Sequence, residues 1–113
     1  MAKQISSGAV HHLTLTVTNL QRSLNFYTEV LGFQVAMELG PTRSIISNGS
    51  AMVALGTAPD PERAIPGDRF DENRVGLDHL SFSLGSRQEL DQAVSLFDEK
   101  GISHGEIKDL GEA

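Results

Sequence analysis

His12-Leu13-Thr14-Leu15-Thr16-Val17 alternates strictly between apolar and polar residues, and His79-Leu80-Ser81-Phe82-Ser83-Leu84 repeats it almost position for position. Side chains on a strand point to opposite faces in turn. In the first copy Leu13, Leu15 and Val17 therefore share one face, and His12, Thr14 and Thr16 share the other. In the second copy Leu80, Phe82 and Leu84 oppose His79, Ser81 and Ser83. Each stretch reads as a half-buried strand whose apolar side packs on the element that follows.

Working outward, each strand leads into a helix. Asn19 can cap the first, and Leu20, Leu24, Tyr27 and Leu31 recur at three and four residues as an apolar stripe. Gly32 stands where a left-handed residue ends a helix. After the second strand, Ser86-Arg87-Gln88-Glu89 is a capping box. Leu90, Ala93, Val94 and Phe97 form its stripe, and Gly101 ends it. Between the two copies, Phe33–Leu39, Ser44–Ser47 and Ala51–Leu55 read as three strands in a meander. Gly40-Pro41 and Asn48-Gly49 separate them. The first module is thus β-α-β-β-β over 10–57. Residues 58–75 hold Pro59, Pro61 and Pro66 and read as a linker. Residues 76–113 read as a partial second module, β-α-β, with Ile102–Ile107 as its last strand. On that reading two strands of the repeat are missing, leaving unpaired edges that a second copy of the chain could cover. The fold class expected is α+β: tandem βαβββ modules forming curved mixed sheets around a cavity, the second module incomplete, in one domain over 10–113. Residues 1–9 read as a lead-in without the apolar core of a secretory signal.

Composition narrows the partners. The 113 residues are 39% apolar and 21% charged, enough for one soluble domain. No run approaches the roughly 18 apolar residues of a membrane helix, so no membrane partner is expected. Fifteen acidic residues against nine basic ones give a net charge of −6. That charge repels phosphate backbones and argues against nucleic acid. There is no cysteine, which excludes disulfides and thiolate sites and fits a cytoplasmic location. No Trp and few aromatics leave little for a stacking clamp.

His12 and His79 are the candidate metal ligands. Neutral imidazole is the commonest metal-binding side chain, and both fall at the same point of the repeated strand. Two histidines with one carboxylate make the facial triad of non-heme iron oxygenases, while N/O sets also suit Zn, Ni or Mn. A lone histidine at a strand start is more often merely exposed or hydrogen-bonded; the repeat is what raises these two. Thr14, Thr16, Ser81 and Ser83 would line the same polar cavity. His11 has the parity of Leu13 and is a poorer candidate, and His104 lies near a turn. Asp78 could orient a histidine, although strand neighbours point to opposite faces. Tyr27 reads as core. No HExxH, GxSxG or phosphate-binding glycine loop is present.

The segments His12–Val17, Ser23-Leu-Asn-Phe-Tyr27, Val30-Leu-Gly-Phe33 and Gly76-Leu-Asp-His79-Leu-Ser-Phe82 resemble the vicinal oxygen chelate superfamily. It includes glyoxalase I, extradiol dioxygenases and the fosfomycin- and bleomycin-resistance proteins. The resemblance runs from residue 10 onward. It implies two βαβββ modules around a divalent metal (Fe, Mn, Ni or Zn), with His12 and His79 as first-strand ligands, and a homodimer as the common assembly. In glyoxalase-like members the last strand of module one supplies a Glu; the matching position here is Ala54, which cannot bind metal. The resemblance therefore implies the two-His, dioxygenase-like pattern over glyoxalase I. The family's last Glu lies in the final strand of module two, and Glu106, Asp109 and Glu112 come too early to be it. Glu38 could substitute only if register turned it to the cavity. The alternatives are a ligand- or drug-binding protein without chemistry, in which no metal need bind, and a short chain that works only as a dimer.

Overall fold

The computed structural model of the chain describes residues 3–109, so Glu112 lies outside the described residues. The chain divides into two compact units, with the boundary after Arg69.

The first unit is built as the hydrophobic pattern requires. β1 (Leu13–Thr16) leads through Asn19, whose side chain accepts from the Arg22 N–H at 3.0 Å, into α1 (Leu20–Asn25). β2 (Gln34–Glu38), β3 (Arg43–Ser47) and β4 (Met52–Gly56) follow. They form a curved four-stranded sheet in the order β1-β4-β3-β2. The meander is antiparallel, and β1 joins it in parallel beside β4, pairing Leu13 with Val53 and Leu15 with Leu55. The core sits on the face that carries those leucines. Ile46 and Leu55 are fully buried, with Val53 and Phe33 close behind. Leu13, Leu15 and Val17 are half-buried there, while His12, Thr14 and Thr16 are exposed on the other face. The alternation read from the sequence holds residue by residue.

The first helix departs from the expected form. After Asn25 it continues as one π turn, Phe26–Val30, in which Leu31 N–H bonds Phe26 O across five residues. The Thr28 hydroxyl donates to Leu24 O at 2.7 Å, taking up a carbonyl of the preceding turn, a competition known to disturb helices. Leu20, Leu24, Tyr27 and Leu31 are nonetheless all half-buried. Tyr27 packs edge-on against Phe33, with ring centres 5.5 Å apart, and this burial raises its pKa above the usual phenol value. Gly32 ends the helix at φ 74°.

The second unit corrects the expected module. Helix α2 (Arg87–Lys100) forms as read. The Ser86 hydroxyl accepts from Glu89 N–H at 3.2 Å; the Glu89 carboxylate takes the Gly85 N–H at 2.6 Å, one residue earlier than a strict capping box would have it. Gly101 closes the helix at φ 68°. The strands expected over His79–Leu84 and Ile102–Ile107 do not form. The reason lies in the topology of the first unit. There the opening strand pairs with the last strand of its own module, β4, and not with the strand that follows the helix. The described residues after α2 contain no equivalent of β4, so the second copy of the hexamer has no ladder to join. No helix among the described residues is long and apolar enough to cross a membrane.

Candidate functional site

The register places the polar face of the first unit in rows. Thr14, Ala54 and Ile45 stand side by side, and Thr16, Gly56 and Arg43 form the next row. Thr14 and Thr16 are exposed, while Ala54 is 6% exposed. Ala54 therefore lies on the same face as Thr14, directly beside β1, and brings no donor atom. Glu38 does not replace it. A bulge between Val35 and Met37 shifts the β2 register so that Glu38 pairs with Ser44. Ser44 in turn pairs with Leu55 on the core face. Parity thus turns Glu38 away from Thr14 and Ala54.

His12 precedes β1 by one residue and is exposed. Its Nδ1 lies 2.9 Å from the Nδ1 of His11, the two rings meeting edge to face. One nitrogen of the pair must donate and the other accept, and the Nε2 of His12 is left open. His11 thus acts on His12, although parity gave it no part. His79 is likewise exposed, and its Nδ1 lies 2.7 Å from the Asp78 carboxylate. Strand geometry would have kept these neighbours apart. They meet because residues 78–84 are not in a strand, so no pleat separates their side chains. A carboxylate on Nδ1 favours the tautomer with its proton there and leaves the Nε2 lone pair outward, the arrangement found on metal-ligating histidines. Ser81 and Ser83 are exposed in the same unpaired segment.

Each imidazole, taken in its own unit, is the type of donor a divalent metal takes. Among the described residues no three His, Asp or Glu side chains group to hold an ion. Glu106 and Asp109 are exposed. His104 bonds Asp98 through Nε2 at 2.7 Å and Gly105 O through Nδ1 at 2.8 Å. Those bonds raise its pKa, the Asp98 bond most, and they occupy both ring nitrogens. The residue is exposed, as its place near a turn implied, and the two bonds make its side chain a latch at the end of α2.

Arg43 escaped the sequence reading. Strand β3 begins one residue earlier than the pattern suggested, which brings Arg43 onto the polar face opposite Gly56. The only signal was the continued alternation Arg43, Ile45, Ser47, and its significance depends on a glycine that only the register places across from it.

A family model described as the glyoxalase/bleomycin resistance protein/dioxygenase superfamily matches residues 9–109. The chain belongs to this superfamily. It is 35% identical over 106 residues to the uncharacterized protein YwkD of Bacillus subtilis, covering 88% of this chain and 77% of that one. It is 29% identical over 96 residues to the catechol-2,3-dioxygenase of the same organism, covering 85% of this chain but only 32% of the dioxygenase. Among solved structures, a glyoxylase/bleomycin resistance protein/dioxygenase domain from Frankia superimposes with a TM-score of 0.69 at 32% identity, covering 93% of this chain and 78% of that one. The superfamily fold accounts for the parallel β1–β4 pairing and for the repeated strand-and-helix unit in the sequence.

Proposed function

We propose that the chain is a metal-dependent small-molecule enzyme of the superfamily, of the two-His, dioxygenase-like kind rather than the glyoxalase I kind. The observation that carries this is the pairing of Nδ1 on each candidate histidine, with His11 for His12 and Asp78 for His79. It leaves the Nε2 of His79 as a ready ligand, and that of His12 in the tautomer whose Nδ1 donates to His11. Ala54, set beside Thr14 without a carboxylate, speaks against the glyoxalase pattern and its general base. A bound Fe, Mn, Ni or Zn ion would supply Lewis-acid polarisation of two adjacent substrate oxygens. The chain's own contribution is to present the imidazoles and to offer the Thr14 and Thr16 hydroxyls to a polar ligand, with Ser81 and Ser83 in the same role on the second unit. The net charge of −6 disfavours nucleic acid as a partner, and a cysteine-free chain suits the cytoplasm.

Metal analysis after anaerobic loading with Fe(II), and separately with Mn, Ni and Zn, tests this. Near-stoichiometric binding of one ion is expected, lost in His12→Ala and in His79→Ala. Asp78→Asn should weaken it about 10- to 100-fold, the usual cost of losing a carboxylate behind a ligating histidine. Unchanged uptake in both histidine variants would remove them as ligands, and no uptake at all would leave the non-catalytic, ligand-binding reading.

A second reading follows from the unpaired hexamer. A second copy of the chain can supply the ladder that His79–Leu84 lacks, so that the active form is a homodimer. Sedimentation equilibrium checks it: a monomer across the micromolar range excludes it.

A further inference from the structure

All nine Lys and Arg residues lie among the described residues, and Arg43 is the only one that is not exposed. It lies on the polar face of the sheet, in the row Thr16–Gly56–Arg43. Its side chain is folded onto β4: a Cβ built on Gly56 would stand 3.1 Å from the Arg43 Nε and 3.7 Å from its Cβ. Gly56 has no positive φ, so close approach rather than backbone conformation calls for glycine, from Arg43 and from the Thr42 carbonyl oxygen, 3.3 Å from the same built Cβ. Its missing side chain makes the space that the guanidinium stem occupies, with the Thr16 hydroxyl-bearing side chain on the far side of the same row.

The Arg43 side chain has no hydrogen-bond or ion-pair partner among the described residues: no carboxylate, carbonyl or hydroxyl accepts from it, whereas Arg22 bonds Thr18 and Arg87 bonds Asp91. What sets Arg43 apart from the other cations is that it alone is withdrawn from full exposure while making no such bond. None of its nitrogens is both buried and unpartnered, so the guanidinium is held against the sheet with its donors open to an incoming acceptor. Its planar fork matches a carboxylate bidentately.

We propose that Arg43 is the receptor for a carboxylate on the small molecule this face binds, with Thr16 as a neighbouring hydroxyl donor and Gly56 as the cradle for the arginine. The face presents one cation, which balances a monoanionic carboxylate better than a dianionic phosphoryl group. The substrate class is thus narrowed to a carboxylated compound. This rests on the polar face of β1 being the ligand face, as proposed above, but not on a metal being bound there.

Two measurements on the full chain test it and separate it from that reading. The first follows the Arg43 Nε–H resonance by NMR, assigned by its loss in Arg43→Lys, during titration with sodium benzoate and with inorganic phosphate. A saturable shift with benzoate at lower concentration than phosphate is expected. The second compares catechol with 3,4-dihydroxybenzoate, which differ only in the carboxylate, by calorimetry of the metal-loaded protein. The carboxylated compound should bind about tenfold more tightly. That ratio should fall toward one in Arg43→Gln and in Gly56→Val, which pushes the arginine aside. Circular dichroism establishes that each variant is folded. An Arg43 signal that ignores benzoate overturns the inference whether or not catechol binds, and tighter phosphate binding overturns the carboxylate assignment. A benzoate response with no binding of either diol upholds the inference and counts against the chelating-enzyme reading.

Discussion

The first unit and the second start from nearly the same six residues and reach different structures. His12–Val17 and His79–Leu84 share parity, β-branched or hydroxyl residues, and a capped helix downstream. One enters a parallel ladder beside β4, and its leucines are half-buried. The other has no ladder, and its Leu80 and Leu84 stay 42% and 51% exposed. A strand is a property of two segments, because its N–H and C=O groups are satisfied only by a neighbour. Local pattern states a preference, and the partner realises it.

The largest effect that would test this contrast is hydrogen exchange. Amides of β1 and β4 in the ladder should be protected by orders of magnitude, whereas those of residues 79–84 should exchange near the unprotected rate. Protection of 79–84 that grows with protein concentration would sharpen the contrast, since it would show a second copy supplying the ladder. Next in size is core truncation. Ile46→Ala, at a site with no exposed surface, should cost about 2–5 kcal/mol in urea unfolding. Leu84→Ala should stay within about 0.5 kcal/mol. A comparable loss at Leu84 would show that its unit is packed more tightly than its exposure indicates.

Helix caps should weigh alike in the two units, because they act locally. Asn19→Ala and Ser86→Ala each remove a side-chain acceptor from an N-terminal N–H, and each should cost about 1 kcal/mol. The smallest effect concerns pH. His104 is bonded to Asp98 near the end of α2, with its pKa raised. A raised value in the folded state means that the stabilisation is fully present below the unfolded histidine value of about 6.5. It is lost as pH rises through the higher folded value. Exchange at Gly101 and Ile102, whose N–H groups bond Asp98 O and Phe97 O, should therefore quicken above neutrality in the native chain. Asp98→Asn should remove most of that dependence.

Much of the first unit could be read in advance because each element carried its own signal. Asn19 and Gly32 marked the ends of the first helix, and the period-two run marked β1; in the second unit Ser86 and Gly101 did the same for α2. The π turn could not be read, since it depends on the Thr28 hydroxyl choosing Leu24 O over solvent. Of the candidate site, the sequence made legible the exposed polar face that Thr14 and Thr16 share on β1; that it is a site stays the proposal. The relations among the candidate residues were not legible. The Asp78–His79 bond was discounted on strand parity that the folded chain does not impose, and Arg43 was placed in a turn one residue short of the sheet.

By itself, then, the amino-acid order determined which faces are apolar, where the helices begin and end, and which superfamily the chain resembles. These follow from side-chain periodicity and from backbone preferences confined to a few neighbouring residues. Only the tertiary structure decided that the second hexamer stays unpaired, that a bulge turns Glu38 to the core face, and that Arg43 rests on Gly56. Each of these depends on which residue stands opposite another across a ladder, and that register is set by the packing of the whole sheet.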